Sequence, residues 1–78
     1  MALAENIKAL RKKKGMTQEE LAEDLHISAQ AVSKWETGQS CPDVEMLPKL
    51  AIIFDTSLDN LFDFDHRKIE AEVDALVT

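Results

Sequence analysis

The segment from residue 29 to residue 34 places four side chains about one helical turn apart on one face: Ala29, Gln30, Ser33 and Lys34. The amide of Gln30 can make two hydrogen bonds to adenine, and the ammonium of Lys34 can reach O6 and N7 of guanine. The methyl group of Ala29 can contact that of thymine, and Ser33 can contact a base or a phosphate. Each residue type is ordinary on a protein surface, so a role for these four side chains in contacting bases depends on the elements that hold them on one face.

Two short helices must position this face. Thr17, followed three residues later by Glu20, is a capping box and predicts a helix over residues 18–24. Ser28 is a typical N-cap residue and predicts a second helix over residues 29–36. Two such helices joined by a tight turn are typical of the helix-turn-helix, whose second helix enters the DNA major groove, about 12 Å wide.

Apolar residues of suitable size lie where these two helices must meet. Ala22 permits a close approach of the helices, and Ile27 fills the angle between them. The side chains predicted to be buried are Leu21, Ala22, Leu25, Ala31, Val32 and Trp35.

Three further short helices complete an all-α, five-helix prediction. The first carries Leu3, Ile7 and Leu10 on one face and ends in a run of lysines followed by a glycine, residues 12–15. Besides binding phosphate, this lysine run has a simpler explanation, because cations stabilise the C-terminus of a helix.

The fourth and fifth helices follow a loop. Asp43 is expected to cap a fourth helix over residues 44–54, although Pro48 is tolerated only near a helix start and favours a start one or two residues later. Ser57 is expected to cap a fifth helix over residues 58–62. The predicted buried stripe of the fourth helix is Leu47, Leu50, Ala51 and Phe54.

An amphipathic segment closes the chain. Ile69, Val73, Leu76 and Val77 recur at helical spacing and predict a helical extension over residues 66–78, after a first domain over residues 1–65. A helix of that length is marginal alone and needs a surface to pack on. We expect it to pack on its own chain or to form a homodimer seam, with a foreign protein partner as the alternative.

Length and composition exclude several classes of protein. The chain has 78 residues, of which 45% are hydrophobic and 31% charged, which fits one small domain. A single cysteine, Cys41, excludes an intramolecular disulfide, and the sequence has neither a membrane-length apolar run nor a signal-peptide pattern. These features favour a cytoplasmic protein.

The titratable residues give little support to an enzyme or a metal site. His26 and His66 are far apart in sequence, and none of the common catalytic or zinc-binding motifs is present. Asp63, Asp65 and His66 could loosely gather a cation, but a solvated acidic joint is the simpler interpretation. We therefore expect no catalysis, no cofactor and no metal.

The net charge of −6 is unevenly distributed. Acidic and basic residues balance over residues 1–41, so all of the excess negative charge falls in residues 42–78. An anionic partner such as DNA should therefore meet the first half of the chain.

Taken together, roughly residues 7–62 resemble the phage-repressor-like, Xre-type helix-turn-helix family of bacterial regulators. The resemblance is strongest over residues 16–22 and 30–36, with Gly38 following, and residues 58–62 resemble the fifth helix of the family. It implies a lambda-repressor-like fold and a small transcriptional regulator, favouring a repressor, that binds double-stranded DNA sequence-specifically. The net charge and the lack of a basic residue at position 29 suggest reliance on a homodimer, and two-fold symmetry would then predict an inverted-repeat operator. The alternative is a protein-interaction module, antitoxin-like or a co-regulator, that acts through residues 66–78.

The resemblance assigns roles to individual residues. The positions of Ala29, Gln30, Ser33 and Lys34 face base edges in the family. The remaining assigned positions are phosphate contacts at Gln18, Ser28, Thr37 and Arg11, and an ion pair between Arg11 and Glu36. As an exposed pair, Arg11 and Glu36 would stabilise the fold by only about 0–1 kcal/mol.

Two residues depart from the family pattern. His26 stands in the turn where the family often has glycine, so some backbone strain is expected there. Ala29 stands where the family often has a basic residue, which removes one expected DNA contact.

Overall fold

A computed structural model of the chain describes residues 2–62, which form five helices without a strand. They are α1 (Ala2–Lys13), α2 (Gln18–Leu25), α3 (Ala29–Thr37), α4 (Met46–Ile53) and α5 (Leu58–Leu61). The predicted extension over 66–78, the boundary after residue 65 and the acidic joint with His66 lie outside the described residues. Within residues 2–62, the helices are all too short or too polar to cross a membrane.

Side-chain caps fix the starts of three helices as predicted. The Thr17 hydroxyl accepts a hydrogen bond from the Glu20 backbone N–H at 3.0 Å, and the Thr17 N–H donates to the Glu20 carboxylate at 3.0 Å, completing the capping box. Ser28 caps α3 by accepting from the Ala31 N–H at 3.2 Å, and Ser57 caps α5 by accepting from the Asn60 N–H at 3.1 Å. These short-range contacts determine where α2, α3 and α5 begin.

The turn between α2 and α3 depends on one left-handed residue. His26 has φ 58° and ψ 43°, and its backbone N–H donates to the Glu23 carbonyl at 3.1 Å. The next N–H, that of Ile27, donates to the Ala22 carbonyl at 3.0 Å. Because a side chain at positive φ crowds the backbone, His26 closes this turn at some cost in strain.

Helix α4 begins at Met46, two residues after residue 44, which is the later start that Pro48 favours. It ends at Ile53 rather than at residue 54. The Asp43 carboxylate accepts from the Met46 N–H at 3.1 Å, so it caps the preceding turn and not the helix itself. Pro48 is thereby placed in the first turn, where its missing N–H leaves no helical bond unmade. Helix α5 is one residue shorter than predicted.

The core is formed by side chains from all five helices, and α1 packs mainly against α3 and α5. Its buried side chains are Leu3, Ile7, Leu21, Ala22, Leu25, Val32, Trp35, Leu50, Ala51, Phe54 and Leu61. Three residues predicted to be buried, Leu10, Ala31 and Leu47, are only partly covered. Leu10 and Leu47 pack at the edge of this core, as does Ile27, which lies in the α2–α3 turn.

Candidate nucleic-acid interface

Helix α3 has one face buried in the core and one face turned toward solvent. Val32 and Trp35 are buried in the core and anchor the helix. Gln30 and Lys34 are exposed one turn apart, while Ser33 and Ala29 are half-buried. We call Ala29, Gln30, Ser33 and Lys34 the reading face. Its two longest polar side chains are directed to solvent, and Ala29 also packs against the core.

Ser28 and Thr37 lie at opposite ends of α3. The Ser28 hydroxyl oxygen caps the helix, and the Thr37 hydroxyl donates to the Lys34 carbonyl at 3.2 Å. Both side chains are exposed. They flank the reading face, where a DNA backbone on either side of a groove would pass.

Arg11 and Glu36 form the predicted ion pair, but the expectation that it is exposed was wrong. Arg11 Nε lies 2.6 Å from Glu36 Oε2, and Arg11 Nη2 lies 3.0 Å from Glu36 Oε1. The side chains are only 10% and 3% exposed, because Arg11 lies where α1 packs against α3. The pair is therefore bidentate and shielded from water, unlike a surface ion pair.

The Arg11 guanidinium has a further partner in the turn after α1. Its Nη1 donates to the Met16 carbonyl at 2.8 Å. Three hydrogen bonds and burial direct this side chain inward, which suits a structural role better than direct contact with a phosphate.

Gln18 is joined to the same carboxylate. Its Nε2 donates to Glu36 Oε1 at 3.1 Å, so that Arg11 on α1, Gln18 on α2 and Glu36 on α3 form one hydrogen-bonded group. We call these three residues the helix junction. Sequence reasoning missed the bond between Gln18 and Glu36, because residues 18 positions apart on different helices carry no local signal of contact.

The helix junction keeps both charged groups ionised. Burial alone would raise the pKa of Glu36, but the hydrogen bonds from Arg11 and Gln18 and the charges of Arg11 and Lys8 together hold it below its ordinary value. The hydrogen bond to Glu36 in turn raises the pKa of Arg11. A carboxylate and a guanidinium therefore persist side by side at neutral pH.

Exposed charge around the interface is mixed. Lysines cluster at the end of α1, whereas α2 exposes only acids, which are Glu19, Glu20, Glu23 and Asp24. Over residues 2–62 there is no group of three or more His, Cys, Asp or Glu side chains that could hold a metal ion. The groups that this surface presents to a ligand are hydrogen-bonding groups on α3 and at the start of α2.

Comparison with known proteins places this architecture in a family. A helix-turn-helix family model matches residues 7–61. The HTH-type transcriptional activator BcrR of Enterococcus faecalis is 41% identical over 61 residues, covering 78% of this chain and 30% of BcrR. The HTH-type transcriptional regulator ImmR of Bacillus subtilis (strain 168) is 36% identical over 76 residues, covering 97% of this chain and 60% of ImmR. The chain thus spans less than two thirds of the length of both relatives.

A solved structure agrees with the sequence comparisons. A chain of a SinR protein/SinI protein complex superposes with a TM-score of 0.72 and 32% identity, covering 96% of this chain and 74% of that chain. The family match and these relatives confirm the predicted fold class over the described helices, with the helix-turn-helix formed by α2 and α3. The chain belongs to the Xre-type helix-turn-helix family of DNA-binding transcriptional regulators.

Proposed function

We propose that this chain binds a specific double-stranded DNA sequence with α3 in the major groove and thereby represses transcription. The observation that carries the proposal is the division of α3 into a face held in the core and a reading face turned outward. Repression needs only that the bound chain exclude polymerase from its site, whereas activation needs a further contact with the transcription machinery.

The reading face supplies the proposed base contacts. Gln30 pairs with adenine through N6 and N7, and Lys34 reaches O6 and N7 of guanine. Ala29 contacts a thymine methyl with the part of its side chain left uncovered, and Ser33 contacts a base or a phosphate. Each good polar contact discriminates against a wrong base by about 1–3 kcal/mol.

The ends of α2 and α3 supply the proposed phosphate contacts. Gln18 begins α2, where the first backbone N–H groups lack helical partners and the helix dipole favours an anion. Ser28 and Thr37 flank the reading face at the two ends of α3. We assign Arg11 an indirect role in place of the predicted phosphate contact, because its guanidinium is bound to Glu36 and Met16.

We further propose that the chain acts as a homodimer on an inverted repeat with half-sites about 34 Å apart. Four large apolar side chains are exposed over residues 2–62, and one of them, Val44, lies before α4. The other three support a self-association surface: Ile52 on α4 is 79% exposed, Leu58 on α5 is 45% exposed, and Phe62 directly after α5 is 41% exposed. We call them the apolar patch. The alternative is a foreign protein partner bound by residues 66–78, which the SinR neighbour's complex with SinI favours by analogy.

Selection from random duplex DNA by the purified chain at roughly 150 mM salt tests the proposal. We expect enrichment of one inverted repeat, and a loss of about 1–3 kcal/mol in affinity for that repeat with each of Gln30→Ala and Lys34→Ala. Lys49→Ala, which removes the same charge from an exposed site on α4, is the matched control and should bind as the wild type does. Equal losses on selected and random DNA for Lys34→Ala would remove Lys34 from the base contacts.

A further inference from the structure

We propose that Glu36 is a positioning residue for the contact with the DNA backbone: its carboxylate orients the Gln18 amide so that this amide donates to a phosphate. The inference rests on the proposed DNA binding and adds to it a residue that touches no DNA. It also gives the helix junction a role in binding besides its role in the fold.

The geometry of the carboxylate supports this role. Glu36 Oε1 accepts from both Arg11 Nη2 at 3.0 Å and Gln18 Nε2 at 3.1 Å, while Oε2 accepts from Arg11 Nε at 2.6 Å. The Glu36 side chain is 3% exposed, so water does not compete well for these bonds. Glu36 therefore determines where the Gln18 amide lies.

The position of the Gln18 amide determines which of its groups is available to a phosphate. A glutamine amide has two N–H donors on Nε2 and one acceptor oxygen, and a carboxylate only accepts. The Nε2 group of Gln18 must therefore face Glu36, which leaves its second N–H for another acceptor. With the amide flipped, its oxygen would lie near the phosphate and repel it. Gln18 is only half-buried, so a phosphate at the start of α2 can reach that remaining donor.

Arg11 makes the arrangement compatible with DNA. An unpaired carboxylate this close to a phosphate would repel it. The bidentate bond to Arg11 balances the charge of Glu36, so the pair orients Gln18 while remaining neutral as a unit. This explains why an acidic side chain can lie behind a DNA-contacting surface.

A double-mutant cycle on DNA affinity tests the inference, with Gln18→Ala, Glu36→Gln and the double variant measured on the selected duplex and on random duplex. We expect each single variant to weaken binding to both duplexes by the same factor, about tenfold. In the Gln18→Ala background, Glu36→Gln should then cost less than about twofold further. Each variant's fold is checked by the fluorescence of Trp35, which is buried in the core.

One further variant and the wild type separate the outcomes. If Glu36→Gln fails to fold, Glu36→Asp takes its place, since it keeps a carboxylate for Arg11 but withdraws it from Gln18. If the two losses of affinity multiplied in the double variant, or if the ratio of the affinity for the selected duplex to that for random duplex changed, Glu36 would act by placing α3. Either result would overturn this inference and leave the proposed function standing. A wild-type chain that bound no duplex would overturn the proposed function as well.

Discussion

The first three helices and the last two described helices are held together in different ways. The α1–α3 region combines a buried core with the helix junction, a capping box and a side-chain cap at Ser28. The α4–α5 region also contributes to the core and has a side-chain cap at Ser57, but α4 begins without one and the apolar patch is exposed. This difference agrees with the proposal that the first region presents α3 to DNA and that the second provides a surface for association.

The largest expected effect concerns the helix junction, which joins the helices of the first region. Arg11→Met leaves the Glu36 carboxylate buried without its cation, and should lower the free energy of unfolding by about 3–5 kcal/mol. Lys12→Met removes the same charge from an exposed neighbour in α1 and should change it by less than about 0.5 kcal/mol. Chemical denaturation followed by Trp35 fluorescence measures both. Similar small changes in the two variants would mean that the helix junction does not hold the first region together.

The next effect concerns association through the second region. Ile52→Glu should weaken self-association by at least about tenfold, because it places a charge in the apolar patch, while monomer stability changes by less than about 0.5 kcal/mol. Lys49→Gln lowers the net charge by the same amount as Ile52→Glu does, at a nearby exposed position of α4, and is the matched control. Sedimentation equilibrium gives the association constants. A wild-type chain that stays monomeric at high concentration would contradict the proposed homodimer.

A smaller effect is a dependence of stability on pH that originates in the first region. Because the pKa of Glu36 is lowered in the folded chain, its ionisation stabilises the fold above the ordinary glutamate pKa. This contribution is lost as the pH falls through the lowered pKa of the folded state. Glu36→Gln should therefore lose less stability than the wild type over this acidic range in denaturation measured at a series of pH values. Parallel curves for the two proteins would exclude Glu36 as the titrating group.

The smallest effect concerns backbone strain in the turn before α3. His26→Gly should raise the free energy of unfolding by about 0.5–1 kcal/mol, because relief of strain at φ 58° outweighs the greater freedom of glycine in the unfolded chain. Asp55, at φ 53° after α4, gives the comparison in the second region. Asp55→Gly should raise the free energy of unfolding by less than His26→Gly does, because aspartate tolerates this conformation better. Thermal unfolding of both variants checks the order; a loss of stability in His26→Gly would mean that the imidazole makes a stabilising contact.

Local patterns predicted the elements of the first region well. The capping box at Thr17 and the cap at Ser28 each join residues three positions apart, so the sequence shows them directly. The strained turn at His26 was expected only from the resemblance to the family, which often has glycine at that position. Apolar spacing likewise identified most of the core.

The failures have a common physical origin in tertiary packing. Asp43 was expected to cap α4 itself, but it caps the turn that leads into the helix, and the path of that turn is not a local property of the sequence. The burial of Arg11 and Glu36 depends on α1 packing against α3, and the bond between Gln18 and Glu36 joins separate helices. A charged residue in sequence predicts exposure by default, so a shielded ion pair is recognised only once the helices are assembled.

The most direct test of the account is to map the surface that DNA contacts. Backbone amide NMR signals of the chain would be followed during titration with the selected duplex and with a scrambled duplex of equal length. The largest changes specific to the selected duplex should fall on residues 28–37 and on the start of α2 at residues 17–19, with small changes over α4. Changes that were largest over α4 and α5, with α3 unaffected, would contradict the assignment of α3 as the helix that reads DNA.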